Sequence, residues 1–187
     1  MESILRNLMA RVIAGLFLSM IGLYVFAQAN DRLDFKGLYL GSDISLVRKT
    51  GKYFCHKPDD TSLFEAQCFR YPAFKETIGG VPIEVLTLNY VSKKLMIVHI
   101  TVKPGNFDTA ISAIEEKYGK GKKSTSIIEN NFGAKFENRS YEWRRNRDSI
   151  KASLYGSKIN ESVITFTDDD EFGKRFDARE KKRGKDL

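Results

Sequence analysis

The chain has 187 residues, of which 42% are hydrophobic and 12% aromatic, enough to bury the core of one compact domain. Its 31 Lys and Arg outnumber its 24 Asp and Glu, and the resulting net charge of +7 favours acidic or anionic partners. This length argues against several domains, and the charge alone specifies no fold.

The first 29 residues have the layout of a secretory signal peptide. An apolar run over residues 12–26 follows Arg11 and ends in Ala27 and Ala29, small residues at positions −3 and −1 before the polar Asn30. An uncleaved membrane anchor is the alternative, but a helix over residues 12–27 reaches only about 24 Å, short of the bilayer core of about 30 Å. We therefore expect cleavage between Ala29 and Asn30, location in the periplasm or outside the cell, and no stable membrane span afterwards.

The mature chain begins with a predicted short helix and two strands. Ser42 and Asp43 suit the start of a helix that ends at Gly51. Residues 52–57 and 64–71 then form predicted neighbouring strands, which carry the two cysteines, Cys55 and Cys68. An even cysteine count in an oxidising compartment predicts a disulfide. A metal pair or a redox couple is the alternative, but the spacing is not Cys-x-x-Cys and the nearby imidazole is His56 alone.

The middle of the chain has the clearest periodicity. Residues 83–91 and 95–103 are predicted strands, and the second alternates apolar side chains at period two. His99 lies on the other side of that strand, so we expect it to pack on the sheet. Residues 107–118 then have apolar side chains at helical spacing, and Gly119 ends this second helix.

The last part of the chain is predicted to be a three-stranded meander. Residues 120–131 read as a polar connection, and residues 135–145, 149–155 and 162–167 as strands. A charged extension follows from Asp168, in which Phe172 and Phe176 are one helical turn apart and can dock its start onto the domain.

These elements predict an α+β fold. Their order is α-β-β-β-β-α-β-β-β, which favours an antiparallel sheet with two helices packed on one face. The predicted organisation is a signal peptide over residues 1–29, one domain over residues 30–170 and a basic C-terminal extension over residues 171–187.

Two short motifs carry a family resemblance. They are Phe35-x-Gly37-x-x-Leu40-Gly41-x-Asp43-x-x-x-Val47 and the end of the second helix, Lys117-Tyr118-Gly119. In these the chain resembles small secreted bacterial proteins of the β-lactamase-inhibitor-like architecture, which includes the outer-membrane assembly lipoproteins of the SmpA/OmlA (BamE) family. The resemblance implies helix pairs on antiparallel sheets and binding of other proteins without catalysis.

The candidate partner-binding residues lie on the first strand of the meander. Tyr141 and Trp143 stand next to Arg144 and Arg145, and interface hot spots are rich in Trp, Tyr and Arg. The alternative is a core tryptophan beside a charged hairpin turn.

The sequence offers no catalytic, metal or cofactor site. Neither His56 nor His99 has a nucleophile and an orienting carboxylate at a supporting spacing. The acidic run 168–171 is continuous, whereas a calcium loop alternates its ligands, so it reads as a solvated strand end. The run Gly119-Lys120-Gly121-Lys122-Lys123-Ser124 lacks the spacing of a phosphate loop.

We therefore predict an exported, non-enzymatic protein that binds another exported or envelope protein as an inhibitor, immunity factor or assembly accessory. We do not expect nucleic acid as a partner, because an exported chain rarely meets it and because the basic runs are not interleaved with stacking aromatics. The alternatives are a cell-envelope hydrolase whose carboxylates meet only in the folded protein, and a binder of anionic surfaces through the basic extension.

Overall fold

A computed structural model describes residues 32–59, 62–129 and 132–183. The chain divides into two units, Met1–Arg32 and Leu33–Leu187, and the second is the folded domain presented below. The predicted signal peptide, with Ala27, Ala29 and Asn30, lies outside the described residues.

The described part of the chain contains twelve strands, three α-helices and one short 3₁₀ helix (Pro104–Asn106). The strands are β1 (Asp34–Phe35), β2 (Leu38–Tyr39), β3 (Tyr53–His56), β4 (Ala66–Arg70), β5 (Thr77–Ile78), β6 (Val81–Pro82), β7 (Val85–Val91), β8 (Lys94–Val102), β9 (Lys122–Glu129), β10 (Lys135–Arg145), β11 (Asp148–Ser153) and β12 (Ser162–Asp168). The helices are α1 (Ile44–Arg48), α2 (Phe107–Tyr118) and α3 (Asp169–Arg183).

One antiparallel sheet of eight strands dominates the domain. Its order is β3-β4-β7-β8-β12-β11-β10-β9, so β3 and β9 are the two edge strands. The strands β1 and β2 form one separate short hairpin, and β5 and β6 form another.

The predicted fold class is therefore wrong, although most of the individual strands were placed well. The domain is mostly β, its element order differs from the predicted one, and its helices are not two helices packed on one face of the sheet. The polar segment predicted as a connection contains β9. The charged extension contains α3, whose Phe172 packs on the sheet face opposite to α2.

The main core lies between the sheet and α2. The helix buries Phe107, Ala110, Ile111 and Ile114, which recur at helical spacing and join a cluster that includes the buried side chains of β7, β8, β11 and β12. Gly119 ends this helix with a φ of 81°, a conformation that glycine adopts without strain.

A second, smaller cluster lies on the opposite face of the sheet. It consists of Val91, Met96 and Ile97, against which Phe64 and Phe172 pack. Ile97 and Val98 are neighbours on β8, so their side chains point to opposite faces, and Val98 belongs to the main core. We call this second side of the sheet the outer face.

The beginning of the domain is anchored by polar contacts. The backbone N–H of Leu33 donates to Oδ2 of the buried Asp148 at 2.9 Å, across 115 residues of sequence. One residue later, Asp34 is held by α2: Lys117 Nζ donates to its Oδ1 at 2.6 Å, and the Tyr118 hydroxyl donates to its backbone O at 2.6 Å. Burial alone would raise the pKa of Asp34, but the hydrogen bonds from Lys117 and from the Gly37 N–H hold this pKa below its ordinary value.

The predicted disulfide is confirmed. Cys55 and Cys68 are directly opposite one another on β3 and β4, and their sulfur atoms are bonded. The disulfide joins the edge strand β3 to its neighbour in the sheet. It is consistent with an oxidising compartment.

Candidate functional site

One row of side chains crosses the outer face from one edge strand to the other. The strand register aligns one residue from each of the eight strands, and these are Phe54, Phe69, Thr87, His99, Thr165, Lys151, Glu142 and Lys122. The row changes from aromatic at β3 and β4, through neutral polar in the middle, to charged at β9. The outer face is therefore aromatic near the β3 edge and charged near the β9 edge.

A cleft of about 350 Å³ lies on the aromatic half of the outer face. Its lining combines two phenylalanines and an isoleucine with five neutral hydrogen-bonding residues: Phe64, Phe69, Ile97, Gln67, Thr87, Asn89, His99 and Thr165. The Gln67 amide donates to Asn89 Oδ1 at 2.8 Å across β4 and β7. Because this hydrogen bond orients both amides, the polar floor of the cleft is partly preorganised.

His99 is the titratable residue of this lining. Its ring is half-buried, and burial lowers its pKa below the ordinary histidine value. The imidazole is therefore neutral at pH 7, with one donor and one acceptor nitrogen. The residues that line the cleft supply hydroxyl and amide groups beside the ring, and the carboxylate that acts on it, that of Glu161, lies outside this lining.

An exposed aromatic cluster borders the cleft on the disulfide-linked strands. The His56 ring stacks between Phe54 and Phe69, at ring-centroid distances of 5.9 Å and 5.5 Å, and Tyr71 lies 6.5 Å from Phe54. Phe54 is 52% exposed, Tyr71 44% and Phe69 36%. We call Phe54, His56, Phe69 and Tyr71 the aromatic cluster.

The structure does not bring the four predicted partner-binding residues together on one surface. Trp143 is 6% exposed and belongs to the core, and its indole N–H donates to the Gly119 carbonyl at 2.8 Å. Tyr141 is partly buried and stacks on the indole at 6.0 Å. Arg144 and Arg145 are exposed, and Arg144 donates to Glu142 on the face opposite to Trp143. Their partner-binding role stays a prediction. Of the four, the two arginines are exposed, Tyr141 is partly exposed and Trp143 is buried.

The acidic residues at the start of α3 make structural hydrogen bonds and ion pairs. Asp168 is buried, receives a bidentate interaction from Arg147 at 2.8 Å and accepts the backbone N–H of Glu171. Arg175 of the same helix reaches Glu65 at 2.8 Å. Within the described ranges, no group of three or more His, Cys, Asp or Glu side chains is arranged to hold a metal ion.

Sequence reasoning missed the cleft because its lining comes from separate strands. Gln67, Asn89, His99 and Thr165 become neighbours only through the register of β4, β7, β8 and β12. The sequence pattern that could have indicated a polar patch was the alternation on β7, where Thr87 and Asn89 share the face opposite to Leu86 and Leu88.

The sequence matches no protein-family model, and no characterised protein matches it closely enough to assign a family. The resemblance to the assembly lipoproteins therefore stays a prediction. No helix in the described part of the chain is long and apolar enough to cross a membrane.

Proposed function

We propose that the chain is an exported, non-enzymatic domain that binds another exported or envelope protein as an inhibitor, immunity factor or assembly accessory. The surface that makes the contact comprises the aromatic cluster and the adjacent cleft. The resemblance to protein-binding secreted domains and the predicted signal peptide are consistent with this role, and the disulfide is compatible with it.

The exposed aromatic cluster is the observation that carries the proposal. Isolated apolar side chains on a surface are ordinary, but contiguous exposed aromatics beside a polar cleft are typical of an interaction site. Phe54 and Phe69 offer apolar area to the partner, and the partly exposed Gln67, held by the buried Asn89, offers directional hydrogen bonds. The disulfide beneath them limits the conformational freedom lost on binding.

The chemistry of the site defines the kind of partner. The cleft lining is uncharged at pH 7, because His99 is neutral and the other polar groups are amides and hydroxyls. It therefore suits a protein segment that places apolar or aromatic side chains in the cleft and pairs its own polar groups with the Gln67 amide. Charged residues of such a partner belong at the periphery.

A pull-down from periplasmic extract tests the surface. The double variant Phe54→Ser with Phe69→Ser removes both phenylalanine rings of the aromatic cluster, and we expect it to lose a partner that the wild type recovers. Ile159→Ser is the matched control, because Ile159 is also an exposed apolar residue, 44% exposed, but lies on the connection between β11 and β12. Near-ultraviolet circular dichroism confirms that both variants keep the fold.

A third variant separates this surface from the one predicted from sequence. Arg144→Ala with Arg145→Ala alters the accessible part of the earlier candidate and leaves the aromatic cluster intact. Loss of the partner with the arginine variant, and retention with the phenylalanine variant, would place the interface on β10.

The predicted cleavage is tested by N-terminal sequencing of the exported form. The sequence is expected to begin at Asn30, and retention of Met1 would contradict export with cleavage.

A further inference from the structure

The edge strand β9 is a second surface available for association. Among the described strands it ends the sheet and pairs only with β10, and it extends over eight residues from Lys122 to Glu129. Every residue of this strand is exposed except Ile128, which is partly exposed. An edge strand that is long and exposed presents unpaired backbone N–H and C=O groups to a further strand.

The devices that usually protect an edge are weak in β9. The strand contains no proline, and its register with β10 is continuous over all eight residues, without a bulge. It carries Ser, Thr and Ile in its middle, residue types compatible with a sheet. Its charges lie at the two ends, with Lys122 and Lys123 at one and Glu129 at the other.

We propose that two copies of this chain associate through antiparallel pairing of their β9 strands about a twofold axis. The geometry of such a pair limits the register. The axis is perpendicular to the sheet, so the same faces of both copies lie on the same side, and directly opposed residues must share a face. Residues that oppose one another therefore differ by an even number in the sequence.

The charges select the register centred on Ser126. In that register Lys123 of one copy is opposite Glu129 of the other, twice in the dimer, and Thr125 is opposite Ile127. The register centred on Thr125 instead places Lys123 opposite Ile127 and forms no pair of opposite charge. Opposite charges directly across an antiparallel pair are stabilising and like charges are destabilising, so β9 is complementary to itself in one register.

The pairing continues the sheet from eight strands to sixteen across two chains, and it adds backbone hydrogen bonds at both β9 strands. It also covers Ile127, which is 63% exposed in the single copy. An interface of this width is small, so we expect a dimer that forms reversibly and at high protein concentration.

A charge exchange tests the register. By sedimentation equilibrium up to about 1 mM protein, the weak limit of specific association, the wild type is expected to dimerise. Lys123→Glu places like charges together at both ends and should weaken dimerisation by about tenfold. The double variant Lys123→Glu with Glu129→Lys again places opposite charges across the pair and should restore the dimer. Lys49→Glu makes the same change in net charge at the C-cap of α1, beside the other sheet edge, and should leave dimerisation unchanged.

A cysteine pair tests the position of the axis. In the proposed dimer the two Ser126 residues oppose one another, about 5 Å apart between Cα atoms, within reach of a disulfide. Ser126→Cys should therefore form a linked dimer on mild oxidation. Ser124→Cys is the matched control, since Ser124 is exposed on the same face but would be about 13 Å along the strand from its copy. The two native cysteines, Cys55 and Cys68, are bonded to one another, so the introduced cysteine is the free thiol in each variant.

The proposal is overturned if the wild type remains monomeric up to about 1 mM, or if the two cysteine variants cross-link equally. It is also overturned if Lys123→Glu and Lys49→Glu have the same effect. None of these outcomes bears on the aromatic cluster, so failure here is distinguishable from failure of the proposed function.

Discussion

Replacement of Trp143 by alanine separates a structural tryptophan from an interface tryptophan. The indole is 6% exposed, stacks on Tyr141, lies opposite Ile150 in the sheet and donates to the Gly119 carbonyl. A Cβ atom added at Gly121 would lie 2.6 Å from the indole, so the ring fills the space beneath the connection between α2 and β9. Truncation of such a ring costs about 4 kcal/mol of unfolding free energy.

The assay is thermal unfolding followed by circular dichroism. At about 3 °C per kcal/mol for a domain of this size, Trp143→Ala should lower Tm by about 12 °C. Arg144→Ala is the control on the same strand, because its ion pair with Glu142 is largely exposed and should contribute about 0.5 kcal/mol or less. A Tm for Trp143→Ala within about 2 °C of the wild type would refute the reasoning from burial and hydrogen bonding.

Three further changes have defined expected outcomes. Gly79→Ala should destabilise the domain by more than Gly80→Ala in urea unfolding: both glycines have positive φ, but a Cβ at Gly79 would lie 2.7 Å from the Ala113 Cβ, whereas Gly80 has open space; equal losses would contradict the packing of this hairpin on α2. Replacement of both Cys55 and Cys68 by alanine should cost about 3 kcal/mol, since the disulfide closes a loop with a sequence separation of 13, and an unchanged urea midpoint would contradict this. The folded-state pKa of His99 is lowered, so the unfolded chain binds a proton first and stability should fall as pH drops below about 6.5; His99→Gln should reduce that slope, and an unchanged slope between pH 5 and 6.5 would refute the contribution of His99.

The strands with a buried face were predictable from sequence, because burial leaves a period in the residue pattern. β8 has Val98, Ile100 and Val102 on its core side, and α2 has its apolar side chains at helical spacing. For the same reason β9 was missed. Its sequence shows no alternation of apolar and polar residues, since neither face of this edge strand is buried.

The assembly of the elements was less predictable than the elements themselves. The sequence indicated that Phe172 could dock the charged extension, but the face on which it docks follows from Val91, Met96 and Ile97 in the tertiary structure. The two-helix expectation failed because α3 packs there, opposite to α2. Trp143 shows the same limit, since a tryptophan between polar and basic neighbours suits both a core and an interface until its burial is known.

The hydrogen bond from Leu33 to Asp148 makes Leu33 part of what holds the domain together. Removal of Leu33 itself takes a backbone donor away from a carboxylate at the start of β11. A recombinant form of this domain should therefore retain Leu33.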